Sequence, residues 1–166
     1  MIEVTIDSIR VSLMSQHRVV ILKDLGTERY LPIWIGACEA DAITIELQGV
    51  EVARPFTHDL LKSIIAEMGA RVQSVMINDL RNEVFYAQIV MELANRRLAI
   101  DSRPSDALAL AVRAKVPIYV EDSVMEKASI APEEDISQAP GDENLTRSPF
   151  KDLIEGLDLD DFGEDN

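Results

Sequence analysis

The sequence predicts an α+β fold, on three observations. Runs with the two-residue period of strands come in two groups, residues 2–35 and 71–101. Helical spacing fills the gap between the groups and returns after the second one. The chain has 166 residues, 47% of them hydrophobic, enough to bury one core and too many for a chain without one. Strands that are grouped rather than alternating with helices favour a mixed sheet packed with about three helices, in the order βββ-α-α-βββ-α-β.

The first strand spans residues 2–13. Ile2, Val4 and Ile6, then Ile9, Val11 and Leu13, occupy alternate positions, with one phase slip at Asp7-Ser8 that marks a bulge or bend. Val19 to Leu22 form the second strand, stopped by Asp24-Leu25-Gly26, and Tyr30 to Ile35 the third. His17 falls in the expected turn between the first two.

After Gly36 the spacing becomes helical from Cys38 to Gln48, with Ala42, Ile45 and Leu47 on one side. A second helix is expected from Thr57 to Met68. Thr57 serves as N-cap, Gly69 as stop, and Leu60, Leu61, Ile64, Ile65 and Met68 face the sheet. Residues 71–80 and 84–93 make a hairpin around Arg81-Asn82-Glu83, whose polar tip with Asp79 is solvated surface. Asn95-Arg96-Arg97 is a turn, and Leu98 to Asp101 a short strand. A third helix runs from Pro104 to Lys115, with proline at a favoured first-turn position. Ile118-Tyr119-Val120 closes the series as a buried strand.

The charge is uneven. Residues 1–120 hold 13 basic and 15 acidic side chains, whereas residues 121–166 hold 3 and 15. The net charge of −14 therefore comes mostly from the last quarter, and the near-neutral body neither demands nor excludes a nucleic-acid partner. From residue 128 the sequence reads as an acidic flexible tail, leaving 1–127 as the folded domain. Within the tail, Phe150, Leu153, Ile154 and Leu157 share one face of a possible short docking helix for a protein partner. No apolar run approaches the ~20 residues of a membrane span, and the N-terminus lacks the pattern of a signal peptide. A soluble, cytoplasmic protein is expected.

Strong catalytic signatures are missing. No glycine-rich phosphate loop, nucleophile elbow or paired-histidine zinc helix occurs. The one cysteine, Cys38, has no histidine near it in sequence, and eight aromatic residues are too few for a broad base-stacking platform. Two segments do repeat a pattern: Arg54-Pro55-Phe56-Thr57-His58-Asp59 and Arg103-Pro104-Ser105-Asp106. Each sets Arg-Pro before a hydroxyl residue and an aspartate at a helix start. Such a terminus can hold a phosphate, with arginine as a second donor, or the aspartates can hold Mg²⁺ or Mn²⁺. The plainer alternative is capping by Thr57, Ser105 or the aspartates, with Arg54 and Arg103 paired to those carboxylates. His58 is a candidate general base, a candidate metal ligand, or a satisfied, partly buried histidine. Glu39 and Asp41 follow a strand end, Glu46 shares the Glu39 face seven residues on, and Asp101 ends a strand just before Arg103.

Three stretches together resemble one family. They are Leu31-Pro32-Ile33-Trp34-Ile35-Gly36 with Glu39-Ala40; Arg54-Pro55 with Thr57-His58-Asp59-Leu60-Leu61; and Ile100-Asp101-Ser102-Arg103-Pro104-Ser105-Asp106-Ala107 with Ala109-Leu110-Ala111. In this order they look like the bifunctional nuclease family, over about residues 1–127. The resemblance implies a compact α+β domain, often self-associating, and nuclease action on RNA and DNA. It brings no settled catalytic set, so roles are assigned from residue chemistry. His58, Asp106, Arg54 and Arg103 are the catalytic candidates, and Glu39, Asp59, Asp101 and Asp106 the ligands for Mg²⁺ or Mn²⁺. Arg54, Arg103, Ser105 and Thr57 are the substrate-binding candidates. The competing reading is a non-catalytic module that binds an anionic ligand or a protein. A homodimer is expected because the strands are apolar enough to need a second subunit over one face.

Overall fold

Both strand groups join a single sheet in the computed structural model, which describes residues 1–11 and 18–131. β1 (Ile2–Val11), β2 (Arg18–Asp24) and β3 (Tyr30–Ile35) form one antiparallel meander. β4 (Ala70–Arg81), β5 (Val84–Leu93) and β6 (Arg96–Ser102) form the other. The three-residue β7 (Ile118–Val120) joins them, antiparallel to β1 and parallel to β4, in the order β3-β2-β1-β7-β4-β5-β6. Its central place explains why so short a run is apolar.

Local sequence explains the joints. The slip at Asp7-Ser8 is a register shift between Ile6 and Ser8. The β4–β5 hairpin closes on Asn82 and Glu83, and β5–β6 on Ala94 and Asn95, all four at positive φ as two-residue turns require. The second turn therefore sits one residue before the expected Asn95-Arg96-Arg97, because Arg96 already pairs with Leu93. At the β2–β3 turn, buried Asp24 accepts bonds from Gly26 N–H, the Thr27 hydroxyl and Arg29.

The helices are α1 (Ala37–Leu47), α2 (Thr57–Glu67), α3 (Pro104–Ala114) and the unexpected α4 (Asp122–Ala128). Nearly all of α3 is buried, packed on α1 and α2 and on strands β3, β4 and β5. Val20, Leu22, Leu31, Ile33, Val75, Ile77 and Ile89 from the sheet meet Ile43, Leu108 and Leu110 from the helices. Burying each such side chain contributes about 1.5–3 kcal/mol. The chain's own helices cover the face of the sheet that carries these residues.

Two helix faces differ from expectation. In α1, Ala40 and Ile43 are buried, whereas Leu47 is exposed. In α2, Leu61 and Ile65 pack on the core, but Leu60, Ile64 and Met68 face solvent. Both α2 series have four-residue spacing and lie about 100° apart on the helix, so periodicity could not choose between them. α4 was missed because seven residues hold too few apolar positions to show a period; Val124, Met125 and Ala128 bury its inner face. Beyond it, Ile130 bridges to Tyr30, so the packed body passes Lys127. His17 and the docking segment 150–157 lie outside the described residues. No helix among the described residues is long and apolar enough to cross a membrane.

Candidate active site at three helix N-termini

The starts of α1, α2 and α3 meet, and none is capped by its own N-cap side chain. Gly36, Phe56 and Arg103 hold the three extended N-cap positions. Thr57 is therefore the first helical residue rather than the cap. Asp59 does the capping instead, its Oδ2 accepting the Phe56 N–H at 2.8 Å. Pro104 takes the first helical position of α3, where no N–H is needed, and Ser105 behind it is buried without capping.

Arg103 is the hub of the cluster. Its Nε donates to Asp106 Oδ2 at 2.7 Å, and its Nη2 donates to Asp106 Oδ1 at 3.1 Å and to Glu39 Oε1 at 2.8 Å. Asp106 Oδ1 also lies 3.2 Å from Nε2 of His58. One residue from each of three first turns is thereby joined: Glu39 of α1, His58 of α2 and Asp106 of α3. Exposure rises along the chain of contacts, from 10% for the His58 side chain to 68% for that of Arg103.

Burial pushes the Asp106 carboxyl up, but the hydrogen bonds from Arg103 and His58 outweigh it and hold the group below the usual carboxylate range. The same bonds, chiefly that to Asp106, raise Arg103. An ionised Asp106 can only accept, so the network assigns the proton of a neutral His58 to Nε2 and leaves the lone pair on Nδ1. Nη1 of Arg103 takes part in none of these bonds, and the side chain as a whole is exposed.

A second hub lies deeper. The Arg113 side chain, 2% exposed, donates from Nε to Asp59 Oδ1 at 2.6 Å, from Nη1 to the Ala109 carbonyl and from Nη2 to the Ala42 carbonyl. It therefore ties α3 to both α1 and α2. Asp59 is held low by the Phe56 N–H and by Arg113, against the upward push of burial. Beside it, a shallow recess of about 280 Å³ is lined by Glu46, Asp59, Lys62, Ser63, Ala66 and Arg113. Sequence reasoning missed Arg113. The signal was its place four residues after Ala109 on the buried face of an apolar helix, where a charge requires a partner.

Of the residues singled out in the sequence, His58, Asp106, Arg103 and Glu39 are brought together. Asp59 turns away to Arg113. Asp101 is exposed on β6 opposite Gln88, Arg54 and Thr57 are exposed at the entry to α2, and Ser105 is buried. No group of three His, Cys, Asp or Glu side chains among the described residues is placed to hold a metal ion. The carboxylates of the cluster are bonded to arginine or histidine instead. This donor set does not form a ready-made Mg²⁺ or Mn²⁺ centre.

An α+β domain with a mixed sheet and a polar cluster across three helix starts defines the class. The family model for the bifunctional nuclease domain matches residues 20–133, and the chain belongs to that family. An uncharacterised protein of Mycobacterium tuberculosis is 39% identical over 164 residues, covering 96% of this chain and 97% of its own length. Bifunctional nuclease 1 of Arabidopsis thaliana is 32% identical over 108 residues, 63% of this chain and 33% of the plant protein. Bifunctional nuclease 2 of Oryza sativa subsp. japonica is 32% identical over 112 residues, 66% of this chain and 34% of the plant protein. The chain thus spans about a third of these plant relatives.

Proposed function

We propose that this protein is a nuclease that cleaves phosphodiester bonds of RNA and DNA with little sequence preference, and that it works in the cytoplasm. The observation that carries this reading is the bonded series His58–Asp106–Arg103–Glu39 in a member of the bifunctional nuclease family. His58 takes a proton through Nδ1, Asp106 fixes the imidazole and offsets its charge, and Arg103 presents Nη1 to a phosphoryl oxygen. Glu39 holds the other side of the guanidinium and so sets its direction.

The cluster pairs one arginine with two carboxylates, a formal charge of −1 with His58 neutral. A phosphodiester adds another negative charge. A divalent cation, Mg²⁺ or Mn²⁺, arriving with the phosphate would offset this charge.

The test is cleavage of end-labelled single-stranded RNA and DNA by wild type with Mg²⁺ or Mn²⁺, by wild type with EDTA, and by Asp106→Ala. Cleavage lost in the mutant supports the reading, and the EDTA arm decides the need for metal. Cleavage that persists in the mutant moves the chemistry elsewhere. A wild type that binds nucleotides or phosphate without cleaving them fits a binding module instead, in which the arginine-paired carboxylates are a scaffold.

A further inference from the structure

β3 turns its two sides to different surroundings. Leu31, Ile33 and Ile35 join the core under the helices, so Tyr30, Pro32 and Trp34 belong to the opposite face of the sheet. In register beside them on β2 stand Lys23, Ile21 and Val19, and beyond Ile21 and Val19 on β1 stand Ser8 and Arg10. Val19 is fully covered and Ile21 nearly so, whereas Trp34, the one tryptophan of the chain, is 41% exposed. Tyr30, at the other end of the strand, is engaged. Its hydroxyl donates to Glu28, and the Lys23 ammonium lies 5.5 Å from its ring centre.

Trp34 also adjoins the candidate active site. Two residues on, roughly 7 Å along extended backbone, Gly36 is the N-cap of α1. Glu39 in the first turn of that helix bonds Arg103 at 2.8 Å. β3 is an outer strand of the sheet, so a chain held at Arg103 reaches the far face by passing over one edge. That edge is unsuited to a further strand. Pro32 has no N–H to offer on the outward side, to which Tyr30, two residues earlier, donates its own N–H to the Ile130 carbonyl.

We propose that Trp34 is a stacking platform for an unpaired base of the substrate, near the phosphate that Arg103 holds. The inference rests on the nuclease reading for the place of that phosphate. An indole face accepts any base, which suits cleavage with little sequence preference, and single-stranded nucleic acid supplies a base with a free face. Arg10 shares the row of Trp34 and adds positive charge for the backbone. One ring serves one base, so the scarcity of aromatic residues is no obstacle.

With a single tryptophan in the chain, intrinsic fluorescence reports on Trp34 alone. In the full chain carrying Asp106→Ala, so that the strand is not cut, a short oligothymidylate is expected to quench it saturably. An abasic strand of the same length is not. By anisotropy of a labelled strand, Trp34→Leu is expected to bind roughly 5- to 150-fold more weakly, and Trp34→Phe to recover most of that loss. Far-UV circular dichroism should be unchanged in both. With Asp106 intact, Trp34→Leu is expected to raise KM for RNA rather than lower kcat. A strand that binds without quenching, equal quenching by the abasic strand, or full affinity in Trp34→Leu would each overturn the proposal. So would a chain that binds no strand at all. Quenching by a strand that wild type does not cleave would instead remove the nuclease reading and uphold the stacking site.

Discussion

His58 and Asp106 are 48 residues apart in the chain, and their side chains meet at 3.2 Å between Nε2 and Oδ1. The contact joins the first turn of α2 to the first turn of α3. A carboxylate so held fixes the imidazole tautomer and stabilises the imidazolium that forms when Nδ1 takes a proton. His58→Ala is expected to lower kcat for RNA cleavage by roughly 10²–10⁴-fold, the usual range for a general base. Asp106→Asn keeps the shape but removes the charge, so kcat should fall there as well. Stopped cleavage reactions measure both. An unchanged kcat in Asp106→Asn would remove the aspartate from this role.

Arg113 makes a claim on stability rather than activity. Its guanidinium bonds to Asp59, Ala109 and Ala42, and its side chain is almost fully enclosed. Arg113→Ala strands Asp59 and two carbonyls, whereas a buried pair broken from one side commonly costs about 3–5 kcal/mol. Asp59 keeps 27% of its side chain in water, so the lower end applies, about 3 kcal/mol. Urea titration followed by circular dichroism gives this value directly. Arg113→Met, which fills the volume, should lose less than the alanine variant if Asp59→Asn accompanies it.

How much of this was legible beforehand differed by level. Strand order along the chain, the slip at Asp7-Ser8 and the limits of α3 follow from patterns within a few residues, and the sequence carries such patterns directly. The outward face of α2 does not, because Leu60/Ile64/Met68 and Leu61/Ile65 are equally periodic and only the position of α3 separates them. The same limit applies to the carboxylates. Glu39, Asp59 and Asp106 all stand in the first turn of a helix, yet Arg103 gathers Glu39 and Asp106 while Arg113 takes Asp59, and Asp101 stays exposed on β6. Long-range partners decide which carboxylates converge, and spacing holds no record of those partners.

Acid sensitivity follows from three aspartates. Asp24 is held low chiefly by the Thr27 hydroxyl, with Gly26 and Arg29, against burial; Asp59 and Asp106 are held low by the bonds described above. Each has a folded value below its unfolded one of about 3.9, so its stabilisation is complete above that pH and is lost as pH falls through the folded value. The urea midpoint should therefore fall as pH drops below about 4. Asp24→Asn should be less stable at neutral pH and lose less on acidification. A mutant curve parallel to that of wild type would remove Asp24 from this account.

Gly36 separates the geometry of the cluster from the stability of the fold. A methyl group added there would run into the Glu39 carboxylate, which folds back over the start of its own helix. Gly36 has φ −69°, so alanine strains no backbone and instead gains about 0.4–1 kcal/mol by restricting the unfolded chain. The flexible end of Glu39 must move, and its bond to the exposed Arg103 breaks at a cost of about 0–1 kcal/mol. These terms nearly cancel. Gly36→Ala should keep the melting temperature of wild type while lowering cleavage, because Arg103 loses the partner that aims it. Glu39→Gln should lower cleavage to a similar degree, and the double variant should add little to either, since both act through one contact. Additive losses would show that Gly36 acts by a route other than the Glu39–Arg103 pair.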